Sequence, residues 1–438
     1  MNRTAAPNTN PEALMREGAA VGRTAAPVQS ESTQRRSSRS PAAAPQERPV
    51  LVTHPGLQHS HQLAQALHER ALLRAFWSGV PVRAPGEAPP WWLPASFHRQ
   101  VREVQIPREL RRHPMRFQAA LRVSNRLRLG QGMDMAHRVF HWYDAWAARQ
   151  VLALRPKVVV AYENAAFHTF QAARSVGARC VLDAAAFHRL AAAELIGAPT
   201  TPYSPEIDRR KDEEVRLADL ILTCSPLAAD SYAAHGVPTA KLRPLLLGAQ
   251  APAELPAWQP GAGAPRFVFA GALSHRKSID LIATAFKRLH AEGLRYELLF
   301  IGGVAEPGQW DLVRSIPQAE HRPGVPQEQL YRVLAQSDCL LLPSRSDSFG
   351  MVVAEAMVCG TPAVVSTQTG AKAMIESHPG AGWIVEPDAE SLYAMLRLLI
   401  RDPGLLRAAR EPAARAGQSF SWAGYRQRAG QLLEEYVR

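Results

Sequence analysis

The sequence has few cysteines, few lysines and no long apolar run, and each shortage argues against a class of protein. Its four cysteines are spread over 438 residues, and none stands in a Cys-x-x-Cys or Cys/His spacing. This pattern excludes a disulfide scaffold and a cysteine-ligated zinc site, and it favours small buried thiols in a reducing compartment. No apolar stretch approaches the roughly 20 residues that cross a bilayer. The N-terminal segment also lacks the apolar region of a secretory signal.

The charge of the chain is strongly positive but does not predict a nucleic-acid partner. There are 51 basic and 39 acidic residues, and six of the basic ones are lysine. No DNA- or RNA-binding motif accompanies this arginine-rich charge. A basic surface that meets an anionic sugar donor or anionic lipid explains it more economically. The hydrophobic content of 46% is that of a globular protein, and the length predicts two domains.

The chain divides into a polar tail and two series of alternating strands and helices. Residues 1–48 are rich in Ala, Pro, Ser and Arg and hold almost no large apolar side chains. They cannot bury enough surface to offset their ordering entropy, so we predict a disordered tail. Strand–helix alternation over 49–249 and again over 266–415 predicts two Rossmann-like domains with parallel sheets. The Pro-, Gly- and Ala-rich residues 250–265 are the predicted linker.

One segment of the first domain, about 81–150, does not follow the alternation. It contains Trp91 and Trp92 between prolines, and then eleven arginines against four acidic residues from Arg99 to Arg149. Such helices could lie on an anionic membrane surface. Alternatively, the segment is a solvated basic face whose aromatic residues pack into the first domain. The sequence leaves both interpretations open.

The most informative segment runs from Pro343 to Ser366. An apolar strand leads into a polar turn with Asp347 and Phe349-Gly350, a short helix follows with Glu355, and Gly360-Thr361-Pro362 ends it. Acid and glycine at the carboxyl end of a strand are typical of ligand sites in open α/β sheets. The free amides at the helix N-terminus favour an anion.

This segment resembles the donor-site motif of retaining glycosyltransferase family 4, also called glycosyl transferases group 1. The family pattern has two acids with seven residues between them, a Phe-Gly pair within that gap, and then Glu-Ala-Met and Gly-x-Pro. The first acid is usually Glu and is Asp347 here. The resemblance implies the GT-B fold, in which two Rossmann-like domains face each other across a cleft. It also implies that residues 416–438 form a C-terminal helix that crosses back to the first domain.

The resemblance further implies an activity, a donor and an acceptor. The enzyme would be a hexosyltransferase that moves a sugar, with retention, from a nucleotide-diphosphate donor. The acceptor would be a saccharide, a lipid-linked saccharide or a small molecule, as in bacterial polysaccharide biosynthesis. We expect no cofactor or metal, because no Asp-x-Asp motif stands at a strand end. We expect a cytoplasmic enzyme, either free or peripheral at the inner face of the plasma membrane.

Candidate donor-site residues follow two strands of the second domain. Gly271, Arg276 and Lys277 come after a predicted strand, where cations would stabilise the diphosphate. Lys277 matches the lysine of the family's Gly-Arg-x(4)-Lys-Gly pattern, whereas Ala272 and Ser278 depart from it. By resemblance, Glu355 would bind the ribose hydroxyls and Asp347 the transferred sugar. Backbone amides would meet sugar or phosphate oxygens at Ser348, Phe349, Gly350, Met351 and Val352.

In the first domain, candidate site residues are identified by their positions directly after predicted strands. Gly56 lies in the turn after the first strand, where a side chain would block a diphosphate or sugar. His188 resembles the family's first-domain histidine, which hydrogen-bonds the donor sugar. Glu163 and Asn164 end another strand and could orient acceptor hydroxyls. A satisfied histidine and a helix N-terminal acid are the plain alternatives for His188 and Glu163.

Two other functions stay open at the level of sequence. The departures at Asp347, Ala272 and Ser278 are compatible with a non-catalytic homologue that acts as a partner or scaffold. A nucleotide-sugar epimerase or a phosphorylase could be built on the same two domains.

Overall fold

The computed structural model describes residues 48–88, 101–127, 132–197, 201–259 and 263–438. The predicted N-terminal tail up to residue 47, the Trp91-Trp92 segment and residues 260–262 of the predicted linker lie outside the described residues.

The first lobe is built on a parallel sheet with the order β5-β2-β1-β6-β7-β8-β9, and β3 pairs with β4 beside it. Its short apolar strands are covered by helices on both faces, as parallel sheets require. The strands are β1 Val50–His54, β2 Leu73–Ser78, β3 Val82–Arg83, β4 Arg102–Glu103, β5 Arg111–Arg112, β6 Val158–Tyr162, β7 Arg179–Ala184, β8 Leu220–Thr223 and β9 Leu242–Pro244. The helices are α1 Ser60–Glu69, α2 Arg116–Leu127, α3 Gly132–Leu154, α4 Phe167–Ser175, α5 Arg189–Ile196, α6 Ser204–Leu217 and α7 Pro226–Ala234.

The second lobe repeats this architecture with a parallel sheet of the order β12-β11-β10-β13-β14-β15. Its strands are β10 Arg266–Ala270, β11 Glu297–Ile301, β12 Ala319–Arg322, β13 Cys339–Leu342, β14 Ala363–Ser366 and β15 Gly382–Val385. Its helices are α8 Ile279–Ala291, α9 Gln309–Arg314, α10 Gln327–Gln336, α11 Met351–Val358, α12 Lys372–Ser377, α13 Ala389–Arg401 and α14 Pro403–Ser419. The two predicted series of alternating strands and helices are therefore confirmed.

The last helix, α15 (Trp422–Val437), returns to the first lobe and packs on α1. Arg70 contacts Glu434 at 2.7 Å, and Arg426 contacts Glu69 at 3.0 Å. The chain crosses between the lobes twice, and the two crossing points are neighbours. There the Ala249 amide donates a hydrogen bond to the Phe420 carbonyl at 3.1 Å. The expectation of a C-terminal helix that crosses back is confirmed.

The basic segment of the first lobe forms two packed helices, α2 and α3, and places β5 at the edge of the sheet. Phe117 and Tyr143 are fully buried there, whereas Leu127 and Trp142 are exposed. Part of the aromatic content thus packs into the lobe, and part faces outward beside arginines. Among the helices of the described residues, none combines the length and the apolar content of a membrane span.

Candidate functional site

A cavity of about 1200 Å³ lies between the two lobes. Its walls come from segments that follow strands: Gln58 and His59 after β1, Gly271 after β10, Gly302 after β11, and Asp347 after β13. The carboxyl ends of two parallel sheets therefore face the same space. Ligands of open α/β proteins bind at this edge.

A buried ion pair lies on the second-lobe wall. Lys277 Nζ donates to Asp347 Oδ2, and both side chains are 12% exposed. Burial lowers the pKa of Lys277, and the neighbouring carboxylate of Asp347 acts in the opposite direction. Arg276 also lines the cavity and donates to the Ser346 carbonyl at 2.7 Å. The wall thus presents two cationic groups.

Helix α11 begins at this wall because Gly350 adopts a left-handed conformation, with φ +89°. A Cβ at Gly350 would lie 2.9 Å from Leu342 Cδ2 and 3.0 Å from Thr369 Cγ2. Only glycine lets the chain turn here without strain. The Val353 amide donates to the Gly350 carbonyl at 2.9 Å, whereas the amides of Met351 and Val352 precede the first helical hydrogen bonds, and both residues line the cavity. The helix terminus is suited to an anion.

Glu355 lies one turn further along α11, still on the cavity wall. Its carboxylate accepts a hydrogen bond from Gln327 Nε2 at 3.0 Å. Burial raises the pKa of Glu355. Tyr331 of α10 lines the same part of the cavity. Glu355 and Asp347 therefore face one space from different positions, as their spacing in the sequence suggested.

The structure brings most of the predicted site residues to this cavity. Those that line it are Gly271, Arg276, Lys277, Asp347, Ser348, Phe349, Gly350, Met351, Val352 and Glu355. Their chemical roles stay predictions.

Four predicted residues of the first lobe do not line this cavity. Gly56 lies near it, and its amide donates to His54 Nδ1 at 2.8 Å. Glu163 pairs with Lys211 at 2.8 Å, and His188 lines a small separate pocket with both of them. Asn164 is held by His141 at 3.0 Å. Internal contacts therefore engage Gly56, Glu163 and Asn164. The buried Nδ1 of His188 has no hydrogen-bond partner among the described residues. A role of these residues toward donor or acceptor stays a prediction.

The first-lobe wall is formed instead by residues that the sequence reasoning did not select. They include Gln58, His59, His61 and Gln62 after β1, and Arg102 from the basic segment. Burial lowers the pKa of His61 to about 4. The run of histidines after the first strand was visible in the sequence. That signal could have identified this wall, whereas nothing in the sequence placed Arg102 there.

The two lobes touch at the floor of the cavity through Ser348. Its carbonyl accepts hydrogen bonds from Ser225 Oγ at 2.6 Å and from Cys224 Sγ at 3.3 Å. Its hydroxyl donates to the Ala185 carbonyl at 2.8 Å. The turn before α11 is therefore fixed to the first lobe as well as to its own.

Residues 254–416 match a family model described as "Glycosyl transferases group 1". This match covers the sheet and most helices of the second lobe, including Lys277, Asp347 and Glu355. In the described residues, no group of three or more His, Cys, Asp or Glu side chains is placed to hold a metal ion.

Relatives at the sequence level are enzymes named D-inositol 3-phosphate glycosyltransferase. The protein of Kineococcus radiotolerans is 31% identical over 198 residues, which are 40% of this chain and 45% of that protein. The protein of Arthrobacter sp. is 27% identical over 253 residues, which are 53% of this chain and 59% of that protein. The chain thus spans about half the length of the curated relatives that it matches.

Solved structures match along most of the chain. Sucrose-phosphate synthase from Thermosynechococcus elongatus has a TM-score of 0.58 at 17% identity, covering 89% of this chain and 99% of that one. Anabaena HepE in complex with UDP-glucose has a TM-score of 0.57 at 14% identity, covering 88% of this chain and 100% of that one. The fold is GT-B. At these identities the likeness shows the fold alone.

Proposed function

We propose that the protein is a glycosyltransferase that moves a sugar from a nucleoside-diphosphate donor to a hydroxyl acceptor. One observation carries the proposal. A single cavity is lined by two cationic side chains, by the N-terminus of α11 and by the half-buried Glu355. The match of the second lobe to glycosyl transferases group 1 supports it.

The chemistry of the leaving group explains the cations. When the glycosidic bond breaks, the departing diphosphate gains negative charge, and fixed positive groups stabilise that change. Arg276 and Lys277 would supply the positive charge, and the amides of Met351 and Val352 would add hydrogen bonds. This assignment requires no metal. Asp347, paired with Lys277, would face the transferred sugar.

Glu355 would bind the ribose of the donor. Its carboxylate is fixed by Gln327, one turn from the first amides of α11. The distance between a ribose and its diphosphate is short, and the cavity places Glu355 and the cations in one continuous space. A UDP-sugar is the first donor to test, because the structurally similar HepE was solved with UDP-glucose.

Retention of the anomeric configuration, as in glycosyltransferase family 4, belongs to this proposal and rests on the sequence motif. The anomeric coupling constant of the product, compared with that of the donor by NMR, tests it. For the acceptor, D-inositol 3-phosphate is tested first because the named relatives act on it. Saccharides and lipid-linked saccharides follow. Contact of the basic helices α2 and α3 with anionic lipid stays a prediction.

Calorimetric titration with UDP, GDP and ADP tests the donor site directly. Glu355→Ala should weaken the binding of the preferred nucleotide by about tenfold to a hundredfold, because a charged hydrogen-bond acceptor is worth about 1.5–3 kcal/mol. Glu376→Ala is the matched control, since Glu376 is exposed on α12. Unchanged affinity in Glu355→Ala would remove Glu355 from the site.

The same titration, together with product analysis of the donor alone, separates this proposal from its alternatives. No binding at millimolar nucleotide would favour a scaffold protein and would overturn the proposal. Conversion of the donor to a free epimer without an acceptor would favour an epimerase instead.

A further inference from the structure

An arginine of the first lobe lines the cavity without a partner. Arg102 of β4 is exposed there, and its guanidinium makes no hydrogen bond or ion pair with any of the described residues. A guanidinium offers several N–H donors in one plane and keeps its charge at any physiological pH. The cleft therefore contains a cation that is available to an anionic ligand.

The strand that carries Arg102 is anchored to the first lobe. β4 pairs with β3 in parallel, with Arg102 beside Val82 and Glu103 beside Arg83. Arg83 contacts Glu103 at 2.6 Å, and the Val104 amide donates to the Arg83 carbonyl at 2.8 Å. Val104 and Val82 are buried. The side chain of Arg102 thus extends into the cavity from a fixed stretch of backbone.

The charge of Arg102 acts on Glu355 of the opposite wall. Burial raises the pKa of Glu355, and the hydrogen bond from Gln327 and the charge of Arg102 act in the opposite direction. On its own wall, burial lowers the pKa of His61 to about 4, and the charge of Arg102 adds to this effect. Because charges in a solvated cleft are screened over about 10 Å, Arg102 lies near Glu355 across the cleft.

The other charged groups of the cavity wall already have partners. Three of its carboxylates are paired with cations, in the pairs Glu103–Arg83, Glu328–Arg332 and Asp347–Lys277. His59 contacts Asp183 at 3.0 Å, and Arg276 donates to the Ser346 carbonyl at 2.7 Å. A diphosphate carries more than one negative charge, whereas the charge of Lys277 is already shared with Asp347. Of the described charged groups that line the cavity, Arg102 is the one without a hydrogen-bond or ion-pair partner.

We propose that Arg102 binds, from the first lobe, the phosphate group next to the ribose of the donor nucleotide. The inference rests on the proposed function, in which Glu355 binds the ribose. The phosphate attached to that ribose is the anionic group of the ligand that lies nearest to Glu355. Arginine binds phosphate through paired, charge-assisted hydrogen bonds. The diphosphate is then held by Arg276 and Lys277 on one wall and by Arg102 on the other.

This assignment places part of the donor site outside the second lobe. The match to the family model covers residues 254–416, whereas Arg102 belongs to the basic segment of the first lobe. On the second-lobe wall, Ala272 lines the cavity at a position where the family pattern has an arginine. Arg102 supplies from the first lobe a guanidinium that this part of the second-lobe wall lacks.

Calorimetric titration of a charge series at position 102 tests the assignment. The variants are Arg102→Lys, Arg102→Ala and Arg102→Glu. The ligands are the nucleoside, its monophosphate and its diphosphate, with the base that the wild-type chain prefers among uracil, guanine and adenine. Arg102→Ala should weaken the binding of both phosphorylated ligands by about tenfold to a hundredfold, because a hydrogen bond to a charged group is lost. Arg102→Lys should lose less and Arg102→Glu more, and nucleoside affinity should stay unchanged.

Arg112→Ala is the matched control. Arg112 is exposed on β5 of the same basic segment and is not among the described residues that line the cavity. This variant should bind all three ligands as the wild type does. Higher ionic strength should reduce the difference between Arg102→Ala and the wild type, because salt screens exposed charges. The melting temperature of each variant shows whether it is folded.

Two outcomes would overturn the role of Arg102 and leave the proposed function intact. The first is wild-type affinity for the diphosphate in both Arg102→Ala and Arg102→Glu; if the KM for D-inositol 3-phosphate rises instead, the anion belongs to the acceptor. The second is an equal loss of affinity for nucleoside and diphosphate, which would assign Arg102 to Glu355 and not to phosphate. If the wild-type chain binds no nucleotide, the proposed function falls, and the role of Arg102 falls with it.

Discussion

Replacing Gly350 with alanine should destabilise the second lobe and also weaken the binding of nucleotide at the proposed site. Gly350 has φ +89°, and the left-handed conformation costs a residue with a Cβ about 1–2 kcal/mol. The new methyl would also lie 2.9 Å from Leu342 Cδ2 and 3.0 Å from Thr369 Cγ2. Overpacking of a buried site costs about 1–3 kcal/mol. The sum is about 2–5 kcal/mol, a large part of the 5–15 kcal/mol that stabilises a typical protein.

Gly308→Ala is the matched control for this change. Gly308 has φ +79°, but nothing lies within 4 Å of a Cβ built there. Its substitution carries the conformational cost without the steric one, about 1–2 kcal/mol. Urea unfolding of both variants measures the two free energies of unfolding, and their difference isolates the steric contribution at the start of α11.

The steric contribution should appear in binding as well. Relief of the clash moves the N-terminus of α11, so UDP affinity should fall in Gly350→Ala by about tenfold, the effect of about 1.4 kcal/mol. Gly308→Ala should bind UDP as the wild type does. If the two variants unfold with free energies within about 0.5 kcal/mol of each other, the packing argument at Gly350 is refuted.

Two more predictions concern catalysis and pH. Lys277→Ala should lower kcat by about tenfold to a thousandfold, because it removes one donor that stabilises the charge of the leaving group. The control Lys287→Ala, at an exposed position on α8, should leave kcat unchanged. Near-normal turnover of Lys277→Ala would exclude Lys277 from the leaving-group site. Burial lowers the pKa of four histidines from 6.5 to about 3 or 4: His54, His61, His113 and His141. Below pH 6.5 the unfolded state therefore binds more protons, and each of these residues should cost about 1.4 kcal/mol of stability at pH 5.5. Urea unfolding at pH 7.5 and 5.5 measures this loss of stability. In His113→Gln the loss should be smaller by the contribution of one histidine. If the free energy of unfolding does not decrease between pH 7.5 and 5.5, the lowered histidine pKa values are contradicted.

The second-lobe side of the cavity could be predicted from the sequence because its residues are close in the chain and follow strands. The turn from Asp347 to Val352, and Glu355 in the helix after it, occupy one strand–turn–helix unit whose geometry is local. Lys277 follows the neighbouring strand β10, and parallel strands place their carboxyl ends at one edge. The sequence motif and the parallel strand order together were sufficient to predict which residues form this wall.

The first-lobe wall could not be predicted in the same way. Glu163 and His188 also follow strands, yet both face the small pocket that holds Lys211. A position after a strand predicts that the residue lies at the carboxyl edge of the sheet. The packing of the next helix decides where its side chain points. Here α6 supplies Lys211, whose charge pairs with Glu163. No local pattern contains that information.

The sequence by itself determined the two parallel-sheet lobes, the turn at Gly350 and the residues of the second-lobe wall, because periodicity, turn chemistry and strand ends act over a few residues. Tertiary structure alone decided that His59 meets Asp183, that Arg102 reaches the cavity, and that Ser348 joins the lobes. These contacts link residues far apart in the chain, and they form only when two lobes and the returning helix α15 pack around one cleft.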